Sequence, residues 1–363
     1  MKIECIKDKL QNIVAKAEKI SGKNLTLPVL KCLLLVAKKN SFSVKSTNLD
    51  LGVDFTLPVK TIKEGITAVP AATLNSAISN IPHKNITLEL VGNNLRISSP
   101  SGTTLIKTLP YEDFPLLPTL SDATTFSLPV PEFLKGLRSV FYSASSSSIK
   151  PELGSVYLYS HDGALKFVAT DSFRLAEKSV PLRETFPPTL IPIKNVPEII
   201  RVFEDAEGNL EIRETKNQIA FLSPGCFLTS RVVEGTFPDY QQIIPKEATT
   251  EAVFLKEDAL NALKAATVFS DRSNYVNLSL FPRRKLFEVT AKNSDVGESV
   301  QTISSTLSGE DVEMRFNYRY LMDCFSSIPS ESISFSFGSP REPLIVRGRN
   351  DRSFTYLVMP MNR

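Results

Sequence analysis

The sequence predicts an α+β fold built as three tandem copies of one domain, each with two helices and antiparallel sheets. Three observations lead there. An alternating apolar run closes three times on an apolar residue followed by proline, at Phe114-Pro115, Phe237-Pro238 and Met359-Pro360. Amphipathic helical patterns open at Leu10, Leu134 and Leu260. A second helical pattern follows Val69-Pro70, Ile191-Pro192 and Phe316-Asn317. Corresponding markers recur roughly every 122–126 residues, the span of a whole domain rather than of a solenoid repeat. Polar, turn-rich stretches separate the copies, giving limits of 1–121, 122–247 and 248–363. Three copies of one domain suggest an arc, and an arc suggests a closed assembly.

Taken in order, Lys2 to Ile6 alternates apolar and polar residues as a short strand. Leu10, Ile13, Val14, Ala17 and Ile20 then share one helical face, with Lys9, Asn12, Lys16 and Lys19 on the other. VLKCLLLV, FSVKST and VDFTLPV read as strands. A second helix after Val69-Pro70 turns Leu74, Ala77, Ile78 and Ile81 inward, and ITLELV, NLRIS and TTLIKTLP follow as strands. The second copy repeats this order from the strand Phe126-Ser127-Leu128. Pro131 suits the first turn of a helix, where its missing N–H does no harm. Phe133, Leu134, Leu137, Val140 and Phe141 form the apolar face of that helix, opposite Lys135 and Arg138. The next helix turns Val196, Ile199, Ile200 and Phe203 inward and Lys194 and Arg201 outward. In the third copy Leu260, Leu263, Ala266 and Thr267 oppose Lys264. The last helix places Leu321, Cys324, Phe325 and Ile328 on one face. SASSSS, Ser143 to Ser148, is a low-complexity stretch that reads as a flexible loop.

Composition narrows the function classes. With 42% hydrophobic and 22% charged residues the chain reads as an ordinary globular protein, and each third is long enough to bury its own core. A formal charge of +3 is too small to announce a nucleic-acid binder, so the placement of basic groups matters more than their sum. Cys5, Cys32, Cys226 and Cys324 show no CxxC spacing, and His83 and His161 are the only histidines, so neither a metal site nor a cofactor is expected. The opening MKIECIKDKL lacks the apolar stretch of a signal peptide and no run could span a bilayer, so a cytoplasmic location without membrane contact is expected.

The motifs of catalysis are missing too. There is no Gly-rich phosphate loop, no GxSxG and no HExxH. Asp50, Asp54, Asp171 and Asp239 are too dispersed to favour Mg²⁺-dependent chemistry, and nothing joins a nucleophile to a base, so a non-enzymatic protein is expected. Lys and Arg instead recur opposite the apolar faces of most of the helices. An arc would align such faces on one wall, offering charge to phosphates without reading bases.

At TLPVL (Thr26 to Leu30), ATDSFRLA (Ala169 to Ala176), FPDYQQIIP (Phe237 to Pro245) and YLVMPM (Tyr356 to Met361) the chain resembles the bacterial DNA sliding clamps, the beta subunits of DNA polymerase III, over essentially its whole length. The resemblance implies three DNA-clamp domains forming half of a six-domain ring, closed by a head-to-tail homodimer around double-stranded DNA. It also implies a processivity factor whose partners are the DNA polymerase III catalytic subunit, the clamp loader, and other clamp-binding polymerases and repair proteins.

The family's client-peptide pocket, between the second and third copies, carries over to Leu153, Thr170, Ser172, Phe173, Arg174, Leu175, Pro238 and Ile243. The third copy adds Asn317, Tyr320, Arg341, Pro343, Val358, Met359, Pro360 and Met361. A Met- and Leu-lined groove would adapt to several apolar anchors while Arg174 and Asn317 fix polar groups. Ser172-Phe173 stands where the family commonly has Gly followed by His or Tyr, and Arg341 where an apolar residue is commoner. DNA contacts carry over to Lys16, Lys23, Asn24, Lys135, Arg138, Lys150, Lys194, Arg201 and Lys264. Val268 and Phe269 are the implied dimer-interface residues.

Overall fold

The computed structural model describes residues 1–22, 27–118, 120, 123–147, 149–270 and 274–361. Among these, six α-helices form: α1 (Lys7–Ile20), α2 (Ala71–Ser79), α3 (Val130–Val140), α4 (Val196–Phe203), α5 (Lys256–Thr267) and α6 (Tyr318–Asp323). The chain divides into two compact units, Met1–Pro131 with Lys194–Val232, and Glu132–Ile193 with Val233–Arg363.

In the first unit, α1 buries Leu10, Ile13, Val14, Ala17 and Ile20, the face its spacing predicts. It packs against α2, α4 and the strands Ser41–Thr47 and Leu51–Pro58. An eight-stranded antiparallel sheet runs through this unit. Its central joint pairs Leu51–Pro58, from the first copy, with Cys226–Arg231, from the second, in the register Leu51↔Ser230 to Phe55↔Cys226. A five-stranded sheet completes the unit, with Gly102–Lys107 on one edge.

The second unit repeats the device. A nine-stranded sheet joins Arg174–Pro181 to Asp351–Val358 in the register Arg174↔Val358 to Lys178↔Phe354. A four-stranded sheet carries Gly297–Thr302 on one edge and Val312–Asn317 on the other. Helix α3 lies close to the larger sheet because Gly136 has no side chain: a Cβ there would stand 2.5 Å from the Phe167 ring. Phe133 meets the same ring edge-on, 5.7 Å between centroids. Helix α6 is shorter than the apolar pattern predicts. Leu321 is buried within it, while Cys324 and Phe325 belong to a 3₁₀ turn, Cys324–Ser327, that tightens its end.

The serine-rich stretch is tied down at its start. Ser143 is buried, and the Ser145 N–H donates to the Leu153 carbonyl at 2.9 Å. Ser148 lies outside the described residues.

Candidate functional site

The turn Thr170–Arg174 in the second unit is organised by its own side chains. The Asp171 carboxylate accepts from the N–H groups of Phe173 (2.9 Å) and Arg174 (3.0 Å). Thr170 Oγ1 donates to the Arg174 carbonyl (2.6 Å) and accepts from the Ser172 N–H (3.1 Å). This drives Ser172 to φ 77°, a left-handed conformation that costs a residue with a Cβ. Phe173 is consequently thrown outward, 62% exposed.

Arg174 is the hub. Its guanidinium donates to Asp171 (3.0 Å), Asp323 (2.5 Å) and the Tyr142 carbonyl (2.5 Å), and it lies 4.4 Å over the Tyr320 ring. Tyr320 is held in turn, its carbonyl accepting from the Tyr356 hydroxyl at 2.8 Å. The Asn317 side chain caps α6 by accepting from the Arg319 N–H at 2.9 Å.

The C-terminal segment closes over this hub through two backbone bonds flanking Pro360. The Met359 N–H donates to the Phe173 carbonyl and the Met361 N–H to the Arg315 carbonyl, both at 2.8 Å. The structure thus brings Thr170, Ser172, Phe173, Arg174, Tyr320, Val358, Met359, Pro360 and Met361 into one bonded cluster. Pro238 and Ile243 are exposed on a neighbouring segment, whose Phe237 and Tyr240 share a core cluster with Leu175.

Some expectations need correction. Leu175 (1% exposed) and Val358 (0%) offer a ligand almost no surface. Pro343, Thr170 and Leu153 are likewise buried. Arg341 is exposed, in a turn closed by the Glu342 N–H on the Ser339 carbonyl. Beside it, Pro340, Pro360 and Met361 border a cavity of about 590 Å³ that also takes in Glu313 and Arg315, neither of which the sequence singled out. A second cavity, about 840 Å³, belongs to the first unit and contains none of these residues; its Glu4 and Lys60 are paired at 2.9 Å.

Among the expected DNA contacts, Lys135, Arg138, Lys150 and Lys264 are exposed. Lys194 is exposed but pairs with Asp50 at 2.6 Å, and half-buried Arg201 pairs with Glu198 one helical turn earlier. Lys16 contradicts its assignment to the outward face of α1. It is buried, and its ammonium donates to Asp205 (3.0 Å) and to the Val202 carbonyl (3.1 Å). Helix α4, from the second copy, covers that side of α1 and supplies the Val202 carbonyl, while Asp205 lies two residues past its end. The hydrogen bond and charge of Lys16 hold the Asp205 carboxyl below its usual range. Lys9 and Lys19 are the exposed cations of α1. Lys23 and Asn24 lie outside the described residues.

Of the interface candidates, Val268 is 65% exposed, while half-buried Phe269 lies within 3.6 Å of where a Gly297 Cβ would stand. Gly297 begins a free sheet edge on which Val300 is 51% exposed. In the first unit, the free edge Gly102–Lys107 exposes 58% of Leu105. The sequence pattern predicts TTLIKTLP as a strand but places neither segment at a sheet edge.

Nothing in the described residues has the form of a metal centre. No three His, Cys, Asp or Glu side chains converge there. Burial pushes the Cys5 and Cys226 thiols up to about 12, which leaves them protonated and inert at neutral pH. No helix among the described residues is long and apolar enough to cross a membrane.

Three family models match in sequence along the chain: the N-terminal (1–118), central (127–239) and C-terminal (241–362) domains of the DNA polymerase III beta subunit. A beta sliding clamp of Synechocystis sp. is 28% identical, with 99% of each chain covered. One from Caulobacter vibrioides is 26% identical over 99% of this chain and all of its own. Among solved structures, the DNA polymerase III beta subunit of Thermotoga maritima superposes with a TM-score of 0.94 at 25% identity, covering 100% of this chain and 99% of that one. A sliding clamp of Bartonella birtlesii, bound to griselimycin, gives 0.93 at 26% identity with both chains fully covered.

Proposed function

This chain belongs to the DNA polymerase III beta-subunit family, the bacterial sliding clamps, and we propose that its Arg174-centred groove is where clients of the clamp dock. The protein is a sliding clamp, a non-catalytic processivity subunit of DNA replication. In the proposed reading, two copies close head to tail around double-stranded DNA, with domain limits at 1–121, 122–247 and 248–363. Topology then retains the ring on DNA, so its phosphate contacts can be weak and independent of sequence. Exposed Lys135, Arg138, Lys150 and Lys264 fit that role, and Lys9 and Lys19 replace Lys16 on α1.

Clients such as the polymerase catalytic subunit and the clamp loader insert short apolar peptides against Phe173, Ile243, Met359, Pro360 and Met361. The observation that carries this is the pair of backbone bonds suspending Met359 and Met361 beside the Arg174 hub, which leaves apolar surface accessible around a fixed polar centre. For closure, the free edges Gly102–Lys107 of one copy and Gly297–Thr302 of the other fit each other, with Leu105, Val300 and Val268 as apolar contacts.

Deleting Met359 to Arg363 should abolish peptide binding in fluorescence polarisation and leave the dimer intact in analytical ultracentrifugation. Clamps loaded on nicked circular DNA should be retained and then released when the circle is linearised. Peptide affinity unchanged by the deletion would refute the groove, and retention on linear DNA would refute the ring.

A further inference from the structure

A directed chain of hydrogen bonds ties the Pro238–Ile243 segment to the sheet behind it. Tyr240 donates to the Glu177 carboxylate at 2.5 Å, and Lys166 holds the other carboxylate oxygen at 2.9 Å and Ser179 at 2.8 Å. The Tyr159 and Tyr240 hydroxyls lie 2.6 Å apart. With the Tyr240 proton committed to Glu177, Tyr159 must donate to Tyr240 and is free to accept from Gln241 Nε2 at 3.2 Å. Every member therefore has a fixed sense.

Beneath it lies an aromatic stack, Phe237 on Tyr157 (4.8 Å, 14°) and Tyr157 on Tyr159 (4.9 Å, 20°). Stacked rings resist separation but permit sliding, whereas a directed hydrogen bond fixes one register. Glu177 stands two residues after Leu175 on the strand Arg174–Pro181, which starts at the hub. Tyr240 thus links the segment carrying Pro238 and Ile243 to the strand that carries Arg174.

We infer that Tyr240, through its bond to Glu177, is a positioning residue that sets the stance of the Pro238–Ile243 wall and hence the grip on an apolar peptide anchor. The inference rests on the groove being the client site. A role confined to stability is distinguishable. Tyr240→Phe keeps the ring and leaves Glu177 paired with Lys166, so the fold loses little, while the wall loses its tie to the strand.

The test is fluorescence polarisation on the full chain, with a fluorescein-labelled octapeptide carrying leucine and phenylalanine anchors. Tyr240→Phe should bind about fivefold more weakly, chiefly through faster dissociation, with a melting temperature close to that of the parent. Tyr159→Phe, which removes the hydroxyl bonds to Tyr240 and Gln241 but leaves the Tyr240–Glu177 bond in place, should lose about twofold and carries the test should Tyr240→Phe fold poorly. Tyr157→Phe, altered in the same stack but outside the bonded chain, should bind as the parent does. Parental affinity in both Tyr240→Phe and Tyr159→Phe, alongside lost binding on deletion of Met359 to Arg363, would overturn the inference and spare the groove. Equal losses in Tyr157→Phe and Tyr240→Phe would reduce the effect to packing and overturn it as well. Binding that survives the deletion would instead remove the groove itself.

Discussion

Lys16 and Arg174 are both cations drawn out of water to join separate segments of the chain, but they join them differently. Lys16 reaches from α1 to one carboxylate and one carbonyl at the end of α4, and its partner Asp205 is 64% exposed. Arg174 engages two carboxylates, a carbonyl and an aromatic face drawn from the turn at Asp171, from Tyr142 and from α6. An ammonium is a compact charge whose three donors adapt to whatever acceptors are near, whereas a planar guanidinium imposes directions on everything it binds. The first arrangement fastens two helices; the second defines the shape of a site.

The largest effect should come from breaking the second. Arg174→Ala leaves Asp171 without its cation and should cost about 2–3 kcal/mol in urea denaturation, a figure lowered because Asp323 is 43% exposed. Arg174→Lys sharpens the contrast by keeping the charge and removing the fork. It should lose most of the peptide affinity while recovering part of the stability. Parental peptide binding by Arg174→Lys would make the two cations equivalent in kind.

Lys16→Met should cost less, about 1 kcal/mol, since half of its pair remains in water and the aliphatic stem is replaced. The loss carries a pH signature. Lys16 depresses the Asp205 pKa in the folded state below its ordinary 3.8, so the contribution is complete above that value and is lost as pH falls through the lower, folded one. The gap in melting temperature between parent and Lys16→Met should therefore be full at neutral pH and close on acidification below about 4. A gap independent of pH would assign Lys16 to packing rather than to charge.

The contrast also marks what can be read from sequence. The apolar face of α1 was legible because helical spacing alone fixes which side chains cluster, and all five predicted residues are buried. Lys16 was misread because spacing says nothing of what covers the flank of a face. Its cover is α4, 180 or more residues along the chain. The sheets behave alike. VDFTLPV and ATDSFRLA were legible as a strand and as a family motif, but their pairing with Cys226–Arg231 and Asp351–Val358 joins separate copies, and alternation within a strand carries no information about its neighbour. In the proposed groove, motif matching named Arg174, Met359 and Met361, but it could not separate exposed Phe173 from core Leu175, because the two alternate on either side of one turn. Asp323, the acceptor that completes the hub, sits in no motif and was missed.

Neutralised and free lysines should also differ on DNA. Lys264 is exposed on α5, so Lys264→Ala should lower the slope of log affinity against log salt by about 1, measured on loaded clamps or short duplexes. Lys16→Met should leave the slope unchanged, because the Lys16 charge is already spent on Asp205. A fall of the slope in Lys16→Met would mean that the pair opens to meet phosphate.

The smallest effect concerns the turn that presents Arg174. Ser172 sits at φ 77°, a conformation that a side chain disfavours and glycine tolerates. The Ser172 N–H that bonds Thr170 belongs to the backbone and survives substitution, so Ser172→Gly removes strain without removing a contact in the turn. It should stabilise the fold by about 0.5–1 kcal/mol, offset in part by the extra freedom glycine has when unfolded. Peptide affinity should hold, since Arg174 keeps its carboxylates and Phe173 its bond to Met359. Urea denaturation and polarisation on the same variant separate the two quantities. A stabilised variant that binds peptide more weakly would show that the strain at Ser172 itself holds Phe173 over the groove, and the shape of the site would then depend on the turn's backbone as well as on the guanidinium.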